Sequence, residues 1–368
     1  MDGHKEKINI KKENENNLKL DQFFTKPKEA RRLYNIVETK IDLKKYDVVL
    51  EPSVGANSFG CCFPKKKAYL MDIDPKDNVF WHNPETNQTE KINRTKKPDD
   101  TEKSEDTEKT NKTKKKNKHN IKITKIDFLS FGAAVQALGL FTNKKVIAIG
   151  NPPFGQNSSL AVKFFNICAG FCDTICFIIP RTFKRISVQN QLDLNFHLEY
   201  NEDLPYSVSE GIFEPHMGAK CCFQIWTRKD EKREKIKLPK IHRDWEFLAM
   251  GPKENQQQLK KRLNSSGALE GLTEKQIEKL VDETKPQPRP PKGASFAMKA
   301  YGSNCGEIVT KGLRKLRPKS WHWIKCENPK EMIKKFNSLD YSLSKDTVRQ
   351  DSLGRSELVK LYTDKYGG

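Results

Sequence analysis

Four short apolar runs, each halted by an acidic or proline-bearing loop, constrain this chain more than any other feature. Asp47–Leu50 runs into Glu51-Pro52-Ser53-Val54-Gly55, and Ala68–Met71 into Asp72-Ile73-Asp74-Pro75. Ile121–Ile126 alternates and closes at Asp127-Phe128-Leu129, and Val146–Ile149 leads to Gly150-Asn151-Pro152-Pro153-Phe154-Gly155. Thr174–Ile179 is a further apolar run, ended by Pro180-Arg181, and Phe196–Tyr200 and Ala219–Trp226 read as two more strands. Between the runs the period changes. Pro27 opens a helix to about Lys40, and Leu160, Phe164, Ile167 and Phe171 share one helical face. Buried strands alternating with helices predict an α/β fold, a mostly parallel sheet covered on both faces. In such sheets the working loops lie beyond the carboxyl ends of the strands, where all four of these loops fall.

Charge locates the partner. The chain has 68 Lys and Arg against 48 Asp and Glu, a net +20. Residues 83–120 hold 11 of the cations and 8 of the anions, so only +3 resides there. Their one aliphatic side chain is Ile92, and a segment that cannot bury a core is expected to be a disordered insertion. The remaining +17 (20 − 3) points to a polyanion, nucleic acid above all, with a merely solvated surface as the plain alternative.

Other classes drop out. No run approaches the roughly 20 apolar residues of a membrane span, so no membrane association is expected. Residues 1–19 read as a polar, mobile arm without the apolar core of a secretory signal. The nine Cys form no Cys-x-x-Cys pair, which predicts a reduced intracellular protein, cytoplasmic or nuclear, with no metal site.

Residues 20–228 form the first predicted domain, and residues 229–368 a smaller C-terminal α+β region with a Pro-rich linker at 285–292. In that region Arg314, Lys315 and Arg317 sit beside Trp321 and Trp323. Cations for phosphates and rings for bases suit a nucleic-acid strand, and a buried-Trp strand with a solvated basic turn suits the pattern equally.

Asn151-Pro152-Pro153-Phe154 carries the sharpest chemistry. Two prolines fix the backbone and remove two N–H donors, leaving carbonyls as free acceptors. The Asn amide adds an acceptor and Phe a flat face, which is what an exocyclic amine on a nucleobase requires.

At these residues the sequence resembles the class I S-adenosylmethionine-dependent methyltransferases that act on the N6 amine of adenine, and among them those of phages and large DNA viruses. The resemblance rests on Gln22-Phe23-Phe24-Thr25-Lys26-Pro27, Glu51-Pro52-Ser53-Val54-Gly55, the acceptor loop at Asn151–Phe154, and the strand at Cys221–Trp226. It covers Asp21 to Trp226 and, more weakly, Tyr341–Tyr366. It implies a Rossmann-like methyltransferase sheet, mostly parallel with an antiparallel last strand, and S-adenosylmethionine as cofactor. It places Phe23, Phe24 and Thr25 over the cofactor's methionine, and Glu51, Pro52 and Gly55 in its loop. It assigns Asp72 to the ribose, Asp127 and Phe128 to the cofactor's adenine, and Asn151, Pro152, Pro153 and Phe154 to the target base. Arg181, Lys184 and Arg185, after the fifth strand, are expected to hold a displaced nucleic-acid backbone. The family loop departs here at Asn57, where a glycine is usual, and at the long insertion.

DNA is the favoured polymer and RNA the first rival. A catalytically inactive nucleic-acid-binding subunit is the alternative of another class. Intact Asn151–Phe154 and Asp72 speak against it, and Asn57 speaks for it.

Overall fold

The computed structural model describes residues 23–83, 88–93 and 121–367. Its contacts divide the chain after Lys235. The first unit contains α1 (Pro27–Lys40), β1 (Val48–Glu51), β2 (Ala68–Asp72), β3 (Ile123–Lys125), α2 (Phe128–Leu138) and β4 (Val146–Gly150). It continues with α3 (Ser159–Ala169), β5 (Thr174–Pro180), β6 (Phe196–Asp203) and β7 (Cys221–Arg228). These seven strands form one sheet in the order β3-β2-β1-β4-β5-β7-β6. The first five are mutually parallel, and β7 is antiparallel to both β5 and β6. The α/β expectation holds, and the arrangement is compatible with a Rossmann-like fold.

Burial on both faces explains why the strands read as continuous apolar runs. Leu50, Ala148, Ile175 and Phe177 pack with Phe128, Phe131, Phe164 and Phe165 of α2 and α3. The intervening Val49, Ile147, Cys176 and Ile178 are equally buried, as a sheet covered on its other face requires. Helix α1 buries Ala30, Leu33, Tyr34 and Val37, one helical stripe, with Pro27 in its first turn. Strand order reverses between β1 and β4, which opens a crevice at their carboxyl ends.

The second unit has β8 (Trp245–Phe247), α4 (Gln256–Ser265), α5 (Glu274–Glu283), β9 (Phe296–Lys299) and β10 (Ile308–Val309). It ends with β11 (Trp321–Cys326), α6 (Pro329–Asn337) and α7 (Arg355–Tyr366). Its antiparallel sheet runs β8-β11-β9-β10 over a core that includes Trp245, Phe296, Phe336 and Tyr362. Among the described residues no helix is long and apolar enough to cross a membrane.

Three expectations need correction. Gln88–Asn93 is not disordered: it pairs antiparallel with Asn78–Asn83, whose Val79 and Trp81 are buried. The anchor is in the first strand, so the polar second strand carries no signal of its own. Residues 84–87 and 94–120 of the expected insertion, like the arm at 1–19, lie outside the described residues.

The unit boundary falls after Lys235, not Arg228. The charge-dense stretch between them is stitched to the first unit, since Arg228 N–H donates to the Asp173 carbonyl and Arg233 N–H to that of Leu194. Residues 285–292 are not a free linker. Gln287 and Arg289 form backbone hydrogen bonds with residues 251–254, and Pro288 bridges to Lys253.

Candidate active site

The crevice between β1 and β4 holds a cavity that opens to solvent. Every residue expected to bind cofactor or target base lines it. Phe23, Phe24 and Thr25 form one wall, Glu51, Pro52 and Gly55 follow β1, and Asp72 ends β2. Asp127 and Phe128 follow β3, and Asn151, Pro152, Pro153 and Phe154 follow β4.

The loop after β1 is tied on several sides. Gly55 takes a left-handed φ of 52°, and an added Cβ would fall 2.7 Å from the Phe24 ring. Both the conformation and the close approach require glycine. Gly55 N–H donates to Asp72 Oδ2 at 2.7 Å, and Asp74 N–H to Asp72 Oδ1 at 2.8 Å. Asp72 therefore clamps the loop as well as facing the cavity. Asp127 also has two tasks, because it caps α2 by accepting from Leu129 N–H and the Ser130 hydroxyl. Phe128 is buried against Phe164, 5.0 Å between ring centres, and forms the cavity floor.

Residues 23–25 are pinned across the crevice. Phe24 and Thr25 pair antiparallel with Glu214 and Phe213. The Ser58 hydroxyl donates to the Thr25 carbonyl at 2.5 Å, and Asn151 Nδ2 to the Phe23 carbonyl at 2.9 Å. The last contact fixes the Asn151 amide. A carbonyl can only accept, so the atom facing it is the nitrogen, and Oδ1 points away. After the prolines, the Phe154 carbonyl accepts from Leu160 and Ala161 N–H in the first turn of α3, and the Phe154 ring meets Phe213 edge-on at 6.3 Å.

Among the described residues, four of the eight buried side-chain polar atoms without a partner belong to this region. Thr25 Oγ1, Glu51 Oε2, Asn57 Oδ1 and Asn151 Oδ1 are buried without a hydrogen-bond partner. Each such atom costs about 1–3 kcal/mol while it stays unpaired. Burial pushes the Glu51 carboxyl well above its usual range, with the Cys62 thiol and Asp72 adding to the shift and the Gly60 N–H opposing it. Backbone conformation is unusual in the loops after β1 and β4: Asn57, Asn157 and Ser158 all have positive φ. Non-glycine residues are held so only where their surroundings over-determine them.

Sequence reasoning missed the apolar walls. Ile73 and Leu129 line the cavity while 55% and 36% exposed, a pair of aliphatic faces for a planar ring. Ile73 was signalled only by its place between Asp72 and Asp74. Met217 also lines the cavity, but it arrives on the β6–β7 connection and carries no local signal.

The expected nucleic-acid residues divide. Arg181 is engaged within the first unit: it donates to the Cys221 and Leu204 carbonyls and pairs with Asp203, and its side chain is 14% exposed. These contacts hold β5 to the β6–β7 edge. Lys184 pairs with the same Asp203, and Arg185 is half-buried nearby. Trp323 is fully buried in the second unit, with its ring N–H on the Pro318 carbonyl, so it is a core residue and no stacking platform. Trp321 is half-buried, with the Lys299 ammonium 6.0 Å over its ring. Arg314, Lys315 and Arg317 are exposed on the turns before β11. Among the described residues no group of three His, Cys, Asp or Glu could hold a metal ion.

Comparison with known proteins adds nothing to this geometry: no protein-family model and no curated protein matches the chain.

Proposed function

We propose that the first unit is an S-adenosylmethionine-dependent methyltransferase acting on the N6 amine of adenine in nucleic acid, DNA above RNA. The observation that carries the reading is the Asn151 amide. Its nitrogen is committed to the Phe23 carbonyl, its oxygen is buried and unpartnered, and the residue lines the cavity. An acceptor held in this way, beside the Pro152 carbonyl and the Phe154 ring, matches an aromatic amine and rejects a carbonyl-bearing base edge.

The cofactor's demands match the opposite wall. Glu51 offers a buried carboxyl oxygen without a partner, suited to an ammonium group. Ile73, Leu129 and Phe128 offer apolar faces to a purine. S-adenosylmethionine supplies an electrophilic methyl group when bound, so no protein nucleophile is needed. The residues of the chain position and polarise. Asn151 Oδ1 and the Pro152 carbonyl accept from the amine's two hydrogens, which localises its lone pair and stabilises the positive charge that develops on nitrogen. Phe154 holds the base in plane. In duplex DNA the base must leave the stack, at a cost of a few kcal/mol.

Incubation with methyl-labelled S-adenosylmethionine and duplex DNA, single-stranded DNA or RNA, followed by nucleoside mass spectrometry, tests the reading. Labelled N6-methyldeoxyadenosine is expected. Labelled N6-methyladenosine from RNA alone would move the substrate to RNA. No labelled base and no cofactor binding would leave an inactive nucleic-acid-binding subunit.

Arg314, Lys315 and Arg317 supply the second unit's share of nucleic-acid contact in this reading. Replacing all three with Gln is expected to lower the slope of log affinity against log salt by about one per cation. Turnover at saturating substrate stays unchanged. An unaltered salt slope would assign the three charges to solvated surface.

A further inference from the structure

Asn57, one of the two departures from the family pattern, meets the strand Asn78–Asn83 that leads into the other, the long insertion. Asn57 adopts φ +65° and is 1% exposed. Glycine would hold this conformation at no steric cost, so asparagine here needs a compensating contact. It has one: Asn57 Nδ2 donates to the Phe80 carbonyl at 2.8 Å. In return the Phe80 N–H donates to the Ala56 carbonyl, also at 2.8 Å. Both backbone groups of Phe80 thus face the loop after β1. Phe80 belongs to the hairpin of Asn78–Asn83 and Gln88–Asn93, anchored by Val79 (fully buried) and Trp81. On the other side, Asn57 Oδ1 lies near the carboxyl of Glu51, which lines the cavity. It and Glu51 Oε2 crowd the same residue, Gly60, where an added Cβ would fall 2.2 Å from one oxygen and 3.0 Å from the other.

We propose that Asn57 is a positioning residue that ties the cofactor loop to this hairpin, so that the hairpin sets the loop's affinity for S-adenosylmethionine. The proposal rests on the methyltransferase reading for the identity of the ligand, while the tie itself does not. A glycine-rich loop is shaped by its own backbone. Here residues 55–58 borrow rigidity from a strand that begins at Asn78, and pre-organisation of that kind appears in binding as a smaller ordering cost. Movement of the hairpin therefore reaches the bound cofactor through two hydrogen bonds.

The test compares wild type, Asn57→Gly, Val79→Ala and the double variant. Calorimetric titration with S-adenosylmethionine gives affinity, and amide exchange of residues 54–59 gives loop order. Asn57→Gly keeps the left-handed conformation and removes only the side-chain tie. It is expected to weaken binding about tenfold, to raise KM for the cofactor with kcat unchanged, and to speed exchange at 54–59 without lowering the unfolding midpoint. Val79→Ala should matter less when combined with Asn57→Gly than it does in wild type, as a shared path demands. Unchanged affinity and exchange in Asn57→Gly, or strictly additive effects in the double variant, would overturn the proposal. If wild type binds no S-adenosylmethionine, the methyltransferase reading falls and takes the ligand with it. Exchange at 54–59 then decides the tie alone: faster exchange in Asn57→Gly upholds it, and equal exchange removes it.

Discussion

Asn151→Ala is expected to lower kcat for methyl transfer by about 10²–10³, the scale measured when one pre-organised polar group is removed from a charged transition state. In the proposed reaction the wild-type amide is already oriented, because Nδ2 is held by the Phe23 carbonyl at 2.9 Å. Alanine removes the acceptor for the amine and leaves Pro152's carbonyl alone to localise the lone pair. The same hydrogen bond gives the substitution a second effect that the sequence motif does not reveal. Phe23 loses the donor that pins its segment across the crevice, so cofactor affinity falls as well, by about tenfold or less for one neutral hydrogen bond. Single-turnover rates at saturating cofactor separate the two effects. A variant that retained the wild-type single-turnover rate would remove Asn151 from the chemistry and reduce it to a brace for Phe23.

The sheet was legible because its strands are buried on both faces. Residues 48–50, 146–149 and 175–179 admit no polar side chain, and the change to polar loops marks each carboxyl end within a residue or two. The site followed from the sheet, since Glu51, Asp72, Asp127 and Asn151 each stand at a strand end and meet at the switch point.

What stayed hidden depended on contacts distant in sequence. Trp321 and Trp323 share one face of β11, so alternation does not separate them. Trp321 stands at the strand's first position and is half-covered, while Trp323 lies further in and is fully covered. Arg181 looked available because its partners, Asp203 and the Cys221 carbonyl, arrive on later strands. The strand at Gln88–Asn93 is polar and gains its order from Val79 and Trp81 across the hairpin. Asp72 and Asp127 serve as loop clamp and helix cap while lining the cavity, which residue type alone does not separate.

Binding of S-adenosylmethionine is expected to release a proton, with Glu51 as its source. Burial raises the Glu51 carboxyl in the free protein, and Cys62 and Asp72 raise it further. The neutral form is therefore more favoured in the folded state without ligand than in a free carboxyl. An ammonium group placed against the unpaired Oε2 favours the carboxylate, so the proton leaves as the ligand enters. Affinity then rises with pH, by up to about tenfold per unit below the raised value, and levels off above it. The stability of the free protein moves the opposite way. A folded pKa above the unfolded one contributes stability that is complete below the unfolded value and is lost as pH rises through the folded value. Glu51→Gln removes both effects: the free protein loses that pH dependence, and cofactor affinity falls about 10- to 100-fold with the loss of a charge-assisted hydrogen bond. Calorimetry in buffers of different ionisation enthalpy, kept below the α-amino range of about 7.7–8.0, counts the protons released. Wild-type binding with no proton release, together with unchanged affinity in Glu51→Gln, would show that the ammonium group is held elsewhere in the cavity.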